Sequence, residues 1–517
     1  MRLTVGLICA ALFVVASSSD ARAQNYAPTP LSAGEIIGKM VAATGQLTSG
    51  SYLVSERQRN GDGTVTQRTV EIDGSDFIAL EQTGSQIDEY GRYGGLAWYR
   101  DPNGTVIPQE GETFEGSAAD VAWIQKRSAK TSVSVLGLTQ TAPQQYVLSF
   151  ESARGDDVTA YVDAATNLLS RIEYSSHDGK WTTEYSDYHT IFGVTVAFDE
   201  RDSQAGAPQN GSVARIASWT QTPTSEAAMA IPSSQPLFQV ATQMTLPAQF
   251  TYQGVTTGDI VLHATIGGQS VDLVLDSGST DFNLDPGAAA RLGLTVTGKR
   301  RGSVGGPLDV SQTIVPEMTI GPLTMRNVAF TVLPVEDIGD EGARPVGLIG
   351  CDFFQSAIVG VDFKDRTLTL YPRSTFDPQA LGLVAVPIRT NNCVPEVAAM
   401  IEGVHGLFLV DTGADLTLLS HSYLRKLSYV QRADDSSSMF SSTGYVEFLG
   451  GQAAVHTYVV NDFVFAGTEF RTGYVQALDS DNDVLGDDDG TIGRNVLRAF
   501  KVYFDYADGV AFFKVNQ

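Results

Sequence analysis

Two short stretches decide the fold of this chain, Leu275-Asp276-Ser277-Gly278-Ser279 and Val410-Asp411-Thr412-Gly413-Ala414. In each stretch an aspartate ends an apolar run and is followed by a hydroxyl residue, a glycine and a small residue. A single copy would say little, because Asp-Ser-Gly and Asp-Thr-Gly also occur in ordinary turns. Two copies in matching surroundings indicate a site that is built from two aspartates.

Aligning the chain on these aspartates reveals an internal repeat. An isoleucine stands ten residues before each aspartate and opens a predicted β-hairpin whose return strand delivers the carboxylate. Further along, Gly350 and Gly493 lie in matching Ile-Gly pairs, and a similar Asp-aromatic-x-Asp turn follows each. The spacing is 411 − 276 = 135 residues for the aspartates and 493 − 350 = 143 for the glycines, which is too long for solenoid repeats. The sequence therefore predicts two homologous β lobes, residues 248–372 and 384–517.

The chemistry of two such carboxylates depends on how closely they meet. At short range Asp276 and Asp411 cannot both ionise cheaply, so we expect them to share a proton. One would then act as a base and the other as an acid toward a water molecule between them. The hydroxyl residues can hydrogen-bond across the axis between the lobes, and the glycines let backbone N–H groups approach the carboxylates. The predicted support set is Ser277, Gly278, Ser279, Thr412, Gly413 and Ala414.

Each lobe also carries a Gly-rich stretch between its aspartate and its later glycine. Glycine allows the left-handed backbone that hairpin tips require, so each stretch is expected to form a mobile hairpin tip. Val304, Gly305 and Gly306 lie in the first stretch and Tyr445 in the second. An inert surface hairpin fits the second stretch equally well.

These motifs resemble those of the aspartic proteases. The stretches Asp411-Thr412-Gly413-Ala414-Asp415 and Ile492-Gly493-Arg494-Asn495 are similar to the retroviral-type enzymes, whereas two lobes in one chain are similar to the pepsin-like arrangement. The resemblance covers about residues 250–517. It implies a two-lobed β-barrel fold, a catalytic pair formed by Asp276 and Asp411, and hydrolysis of peptide bonds.

The same resemblance implies a substrate contact that the two lobes do not share. Asp415 would contact the substrate backbone, but its counterpart in the first lobe is Thr280. The resemblance also implies that Val304, Gly305 and Gly306 form a first-lobe flap that binds the substrate. This flap lacks the tyrosine typical of pepsin-like enzymes, for which Tyr445 in the second lobe is the nearest substitute. Substrate contacts in the first lobe are therefore left open.

The first half of the chain has the pattern of a β-rich domain. A capping box at Ser32 and Glu35 predicts a helix over 32–46, and a second, short helix is expected over 118–127. Turn-separated β segments fill most of 51–219, which is typical of an antiparallel sheet or half-barrel with a packed helix.

The turn-rich stretches 161–169, 185–188 and 193–198 resemble the periplasmic lipoprotein-carrier domains. Those half-barrels hold acyl chains in a concave apolar face, so the resemblance over 32–222 implies an acyl-chain ligand. An accessory β domain without a ligand is the alternative. Residues 223–247, with four prolines among Ser, Thr and Ala, are predicted to be a linker.

The overall composition limits partners and location. The 517 residues carry a net charge of −25, and such an acidic surface argues against nucleic-acid binding. Residues 1–23 have the basic start, apolar core and Ala-x-Ala end of a signal peptide, which predicts cleavage after Ala23 and a periplasmic or secreted protein. An N-terminal membrane anchor is the weaker alternative, because the apolar run is too short to span a membrane comfortably.

Two cysteines remain after the predicted cleavage. Cys351 lies in an apolar stretch, which favours a buried free thiol, while a disulfide to Cys393 is the alternative. Metal-ligand spacings are missing, and residues 479–490 lack the glycine and the glutamate that a calcium loop needs. No cofactor is expected.

The sequence therefore predicts an exported aspartic endopeptidase, monomeric, that acts on a peptide or protein. The alternative is a periplasmic lipid-, lipoprotein- or peptide-binding protein whose protease-like half is not catalytic.

Overall fold

The computed structural model describes most of the chain, and it is mainly β. The described residues are 26–84, 86–109, 117–129, 132–150, 158–176, 179–223, 229–253, 256–303, 307–335, 344–391, 393–427, 431–432, 443–448, 451–471, 473–479, 485 and 488–516. The predicted signal peptide and the candidate flap residues Val304, Gly305 and Gly306 lie outside them. Within these ranges no helix is both long and apolar enough to cross a membrane.

The chain forms two compact units. The first contains the described residues of 26–101 and 108–232, and the second contains those of 102–107 and 233–516. The short segment 102–107 therefore belongs to the second unit although the chain on both sides of it belongs to the first.

One antiparallel sheet dominates the first unit. Within the described residues it has thirteen strands, in the order β6-β5-β4-β3-β2-β1-β13-β12-β11-β10-β9-β8-β7. The strands are β1 (Ser51–Asn60), β2 (Val65–Asp73), β3 (Asp76–Thr83), β4 (Gln86–Tyr93), β5 (Leu96–Arg100), β6 (Val106–Gln109), β7 (Val133–Leu138), β8 (Gln145–Phe150), β9 (Val158–Asp163), β10 (Leu169–Ser176), β11 (Gly179–Ile191), β12 (Val194–Gln204) and β13 (Ser212–Gln221).

Two helices pack on this sheet, α1 (Ala33–Thr44) and α2 (Ser117–Ser128). The predicted capping box starts α1, because the Ser32 N–H donates to the Glu35 carboxylate over 2.8 Å and the Glu35 N–H donates to Ser32 Oγ over 3.3 Å. The apolar stripe of α1 joins Val121 and Ile124 of α2 in the core against the sheet. The prediction of an antiparallel β domain with a packed helix is confirmed.

The second unit is built from short helices and many strands. Its helices are α3 (Pro286–Arg291), α4 (Cys351–Ser356), α5 (His421–Leu424) and α6 (Arg494–Leu497). Its strands are β14 (Met244–Leu246), β15 (Ala248–Gln253), β16 (Thr256–Ile266), β17 (Gln269–Leu275), β18 (Asn283–Leu284), β19 (Thr297–Ser303), β20 (Pro307–Ile320), β21 (Leu323–Val332), β22 (Gly347–Ile349), β23 (Ile358–Asp362), β24 (Thr367–Tyr371), β25 (Val384–Pro387), β26 (Arg389–Asn391), β27 (Val394–Ile401), β28 (Val404–Val410), β29 (Leu418–Leu419), β30 (Gln431–Arg432), β31 (Thr443–Phe448), β32 (Gly451–Val460), β33 (Phe463–Phe465), β34 (Thr468–Phe470), β35 (Gly473–Leu478), β36 (Gly490–Ile492), β37 (Phe500–Asp505) and β38 (Val510–Val515).

The two predicted lobes repeat one topology. In the first lobe the β16–β17 hairpin leads to Asp276, and β17 pairs in parallel with β22. In the second lobe the β27–β28 hairpin leads to Asp411, and β28 pairs in parallel with β36. Counting only the described strands, the first lobe has an eight-stranded sheet and the second an eleven-stranded one. The prediction of a two-lobed fold is confirmed.

A third sheet runs through both lobes. Its six strands have the order β14-β24-β23-β37-β38-β25, and the lobes meet where β23 pairs with β37, with Val359 opposite Phe504 and Val361 opposite Val502. Strand β14 comes from the segment predicted as a linker. Because this sheet crosses the lobe boundary, backbone hydrogen bonds hold the two lobes together.

The structure overturns the preference for free thiols. Cys351, the first residue of α4, forms a disulfide with Cys393 in the turn before β27, and their Cα atoms are 5.8 Å apart. Cys351 is fully buried and Cys393 is 1% exposed, so the apolar surroundings that suggested a free thiol suit a buried bridge equally well. The bridge links one lobe to the other.

Candidate active site

Both aspartates are held at the ends of strands. The N–H of Asp276 donates to Ile349 O over 3.0 Å, and the N–H of Asp411 donates to Ile492 O over the same distance. These bonds extend the parallel pairs β17–β22 and β28–β36 by one residue. The sheets therefore fix where each aspartate leaves its strand.

A reciprocal set of hydrogen bonds joins the two aspartate loops. Ser277 Oγ donates to Val410 O over 2.7 Å and accepts from the Thr412 N–H over 2.9 Å. Thr412 Oγ1 donates to Leu275 O over 2.9 Å and accepts from the Ser277 N–H over 3.0 Å. Both hydroxyl residues are fully buried. These small hydroxyl side chains hold the two loops face to face.

Each carboxylate lies against the glycine of the opposite lobe. A Cβ placed on Gly278 would be 2.6 Å from Asp411 Cγ, and one placed on Gly413 would be 2.7 Å from Asp276 Cγ. The same glycines donate their N–H groups to the aspartate of their own loop, over 2.8 Å for Asp276 Oδ1 and 2.7 Å for Asp411 Oδ1. No larger residue would fit at either position.

This geometry changes the ionisation of the site. Burial raises the pKa of Asp276 well above its ordinary value, and the charge of Asp411 and a hydrogen bond between the two carboxyl groups raise it further. The Gly278 N–H and the Arg494 guanidinium act in the opposite direction. Burial and the neighbouring carboxyl group therefore both favour the protonated form of Asp276.

A buried arginine, to which the sequence analysis assigned no role, lies behind the second loop. Arg494, the first residue of α6, is 2% exposed, and its Nη1 donates to Thr412 O over 2.8 Å and to Gly413 O over 3.0 Å. The guanidinium also pairs with Asp259 of β16 over 2.9 Å and with Asp415. Its place directly after Gly493 in the Ile-Gly-Arg-Asn motif was the available signal.

A buried tyrosine lies behind the first loop and was also missed. Tyr506 follows β37, is 3% exposed, and donates its hydroxyl to Ser277 O over 3.1 Å. Its ring stacks on Phe354 at 5.0 Å between centroids. Burial raises its pKa well above the usual range, and the charges of Asp276 and Asp411 raise it further, so the phenol stays neutral.

The lobe glycines have the close contacts that a repeated loop demands. A Cβ on Gly350 would be 2.4 Å from Ser279 O, and one on Gly493 would be 2.6 Å from Leu416 O and 2.9 Å from Ala414 O. Each glycine therefore lets the loop that follows its lobe's aspartate pass directly over it. Ala414 also donates its N–H to Asp411 Oδ1 over 3.1 Å.

The structure describes only some of the predicted substrate-binding residues. Asp415 is partly exposed and pairs with Arg494, and Thr280 is half-buried. Tyr445 lies on β31 in a hairpin with β32 and is 70% exposed. The candidate flap residues Val304, Gly305 and Gly306 lie in sequence between the paired strands β19 and β20, outside the described residues. Among the residues that the structure describes, no cluster of three or more His, Cys, Asp or Glu side chains is arranged to hold a metal ion.

Comparison with known proteins agrees with this reading of the second unit. Residues 262–353, which include the Asp276 loop, match the family model described as aspartyl protease. The match confirms the resemblance to aspartic proteases and supports a protease. A search of curated proteins finds no match.

Two solved structures are similar to parts of the chain. One is an aspartic proteinase from Irpex lacteus, with 13% identity over 53% of this chain and 98% of that one and a TM-score of 0.35. The other is a LolA superfamily protein from Nitrosomonas europaea, with 16% identity over 39% of this chain and 98% of that one and a TM-score of 0.30.

Proposed function

We propose that this protein is an exported aspartic endopeptidase in which Asp276 and Asp411 activate a water molecule. The observation that carries the proposal is the pair of carboxylates, each seated over the other lobe's glycine and joined by the reciprocal Ser277–Thr412 hydrogen bonds. A merely structural pair of turn carboxylates has no need to face its counterpart. The aspartyl protease match over the first loop supports the same reaction.

The reaction follows from a shared proton. The ionised carboxylate accepts a proton from the water as its oxygen bonds to the peptide carbon, and the protonated carboxyl gives its proton to the carbonyl oxygen. The resulting gem-diol collapses when the first carboxyl returns its proton to the peptide nitrogen, the C–N bond breaks, and the second group regains a proton from a gem-diol hydroxyl. No net charge is created beyond the one that the pair already carries.

Export and substrate class are parts of the same proposal. The signal-like residues 1–23 support export, and a buried disulfide is typical of proteins in oxidising compartments. The substrate is a peptide or protein, and the enzyme is monomeric. The acyl-chain ligand of the first unit rests on the sequence resemblance alone.

Cleavage of a peptide library between pH 3 and pH 8 tests the proposal. We expect Asp276→Asn and Asp411→Asn to lose cleavage by at least about 10³-fold, because each removes one partner of the shared proton. Asp272→Asn is the matched control. Asp272 lies on β17, the strand that leads to Asp276, but its carboxylate pairs with the exposed His263. Undiminished hydrolysis in either dyad variant would refute the assignment.

The alternative function predicts the opposite results when the same protein preparation is tested for bound acyl chains and for peptide cleavage. A lipid- or peptide-binding protein with a non-catalytic second unit would release acyl chains on extraction with organic solvent and would cleave no library peptide at any pH. Mass spectrometry of the extract, run beside the cleavage assay, separates the two functions.

A further inference from the structure

A peptide group behind each aspartate connects it to a buried side chain. In the first lobe the Tyr506 hydroxyl donates to Ser277 O, and the N–H of the same peptide group, on Gly278, donates to Asp276. A donor at the carbonyl polarises the peptide group and strengthens the hydrogen bond that its N–H makes. The tyrosine therefore acts on the carboxylate through one peptide group.

The second lobe has the same arrangement with a different donor. Arg494 Nη1 donates to Thr412 O, and the N–H of that peptide group, on Gly413, donates to Asp411. Here the donor is a cation, which polarises the peptide group more strongly than a neutral phenol and also attracts the carboxylate directly. The two aspartates thus receive unequal support from behind.

The difference arises because the first lobe has no arginine at the corresponding position. Cys351 and Arg494 both follow a lobe glycine, and both donate their N–H to the aspartate loop of their lobe, to Ser279 O over 3.0 Å and to Ala414 O over 2.8 Å. Cys351 is bonded to Cys393, so its side chain supplies no donor to the loop.

The donor behind the first loop comes instead from the other lobe. The Asp-aromatic-x-Asp turns align Tyr506 with Phe363, which has no hydroxyl. Both buried donors, Arg494 and Tyr506, therefore belong to the second lobe. The repeat is symmetric in its backbone and asymmetric in what stands behind the carboxylates.

Direct hydrogen bonds increase this asymmetry. Asp411 Oδ1 accepts from the N–H groups of both Gly413 and Ala414. In the first lobe the N–H of Ser279 points to the backbone O of Asp276 over 3.3 Å rather than to the carboxylate. Hydrogen bonds from N–H groups favour the charged form of a carboxyl group. Asp411 is accordingly the better site for the negative charge.

We propose that these two donors are positioning residues which divide the shared proton unequally, so that Asp276 keeps it and Asp411 stays ionised. The inference rests on the function proposed above. In peptide hydrolysis Asp411 then takes the proton of the attacking water, and Asp276 protonates the carbonyl oxygen. Among the described residues, the charged or titratable side chains found behind the pair are Arg494 and Tyr506, with Asp259 and Asp415 on the guanidinium.

Tyr506→Phe is the cleanest test, because it removes the hydroxyl and keeps the ring against Phe354. Under this proposal Asp276 is the group that ionises last. Without the Tyr506 hydroxyl the Ser277–Gly278 peptide group is less polarised, so the Gly278 N–H stabilises the Asp276 anion less. We expect the upper pKa of the pair to rise by about half a unit and the lower one to stay in place. The readouts are the two limbs of the pH profile of kcat/KM and a titration of the aspartate carboxyl carbons by ¹³C NMR.

A second comparison isolates the arginine. Removing Arg494 alone would leave a buried Asp259 carboxylate without its cation, so Arg494→Gln is made in an Asp259→Asn background and compared with Asp259→Asn alone. The lower pKa is expected to rise by about one unit, because the Asp411 anion loses both the charge and the hydrogen bond behind its peptide group. The upper pKa should rise by less, because Asp276 loses only the attraction of the guanidinium charge.

The outcomes are distinct. A shift of the lower pKa in Tyr506→Phe, or of the upper pKa alone in the arginine variant, would reverse the assignment of acid and base. Reduced activity with neither pKa moved would leave the two donors a structural role only and overturn the inference. A wild-type protein that cleaves no peptide refutes the proposed function, whereas the NMR titration still reports how the proton is divided.

Discussion

The raised pKa of Asp276 has a consequence for stability as well as for chemistry. Because burial and the neighbouring Asp411 raise this pKa, the folded protein binds a proton there more tightly than the unfolded chain does. The stabilisation is fully present below the ordinary aspartate pKa and is lost as the pH rises through the folded value.

Replacing this carboxyl by an amide should therefore stabilise the protein in one pH range only. We expect Asp276→Asn to raise the free energy of unfolding at pH 7 and to leave it nearly unchanged at pH 3. Each pKa unit of elevation that the amide removes is equivalent to about 1.4 kcal/mol. Urea unfolding at both pH values measures the effect, and a variant no more stable than wild type at pH 7 would contradict the raised pKa.

The loop glycines give a prediction on geometry alone. In Gly413→Ala the new Cβ would lie 2.7 Å from Asp276 Cγ and 2.9 Å from Oδ2, so one carboxylate must move. A displacement of this size at reacting groups costs on the order of 10²-fold in rate. Gly473→Ala is the control, since its nearest neighbour would be Val460 Cγ2 at 3.8 Å. Peptide cleavage by both variants measures the effect, and equal activity would argue against the dyad.

At the scale of single residues, the sequence predicts the positions that the internal repeat aligns between the two lobes, and few others. Asp276 and Asp411, their hydroxyl residues and their glycines were all predictable, because each lobe supplies the template for the other. Arg494 and Tyr506 stand within the same landmarks but have no equivalent donor in the first lobe. Comparison of the two halves therefore gives no sign of what their side chains contact.

The disulfide connects the start of α4 in one lobe to the turn before β27 in the other. Its cysteines are 42 residues apart, and closing a loop of that length restricts the unfolded chain. We expect the double variant Cys351→Ala/Cys393→Ala to lose about 2–4 kcal/mol of stability, which is the range for native disulfides.

Thermal unfolding with and without dithiothreitol measures this contribution. The reductant should lower the midpoint of the wild-type protein toward that of the double variant and leave the variant unchanged. Equal midpoints for both proteins without reductant would show that the bridge adds no stability. The sequence could not decide between thiol and bridge, because the distance between the cysteines depends on how the two lobes meet.

Segment 102–107 makes a compact set of contacts within the second unit. Asn103 binds Ala329 of β21 in both directions, accepting from its N–H over 2.7 Å and donating to its O over 3.1 Å. Asn103 and Thr105 also donate to the carboxylate of Asp352 over 2.7 Å and 2.6 Å. Asp352 is 2% exposed, so these bonds stand in for its lost hydration.

Removing the side-chain amide of Asn103 should lower the free energy of unfolding markedly. Asn103→Ala takes partners from a buried carboxylate and from a strand peptide, which costs roughly 2–4 kcal/mol. Asn461→Ala, at an exposed asparagine of the same unit, is expected to change stability by less than about 0.5 kcal/mol. Denaturant unfolding of both variants tests the difference, and equal losses would mean that the contacts of Asn103 add little.

The internal sequence repeat predicts only part of how the whole molecule divides into lobes and units. The two lobes were predictable because both repeat the same hairpin, aspartate and glycine in order. The membership of 102–107 in the second unit was not predictable, since its partners Ala329 and Asp352 stand more than 200 residues later in the chain. Local patterns carry no information about contacts at such a separation.

A fragment made of residues 233–517 lacks segment 102–107 and therefore tests how much this segment stabilises the second unit. We expect the fragment to unfold at a lower temperature than the second unit does within the full chain, because Asp352 and the Ala329 peptide lose their Asn103 and Thr105 partners. A synthetic peptide of residues 101–108 should raise the midpoint of the fragment in a concentration-dependent manner, as a ligand of the folded state does. The same peptide with Asn103→Ala should not. If the fragment is as stable as the full chain, or if both peptides act alike, the segment is not part of what holds the second unit together.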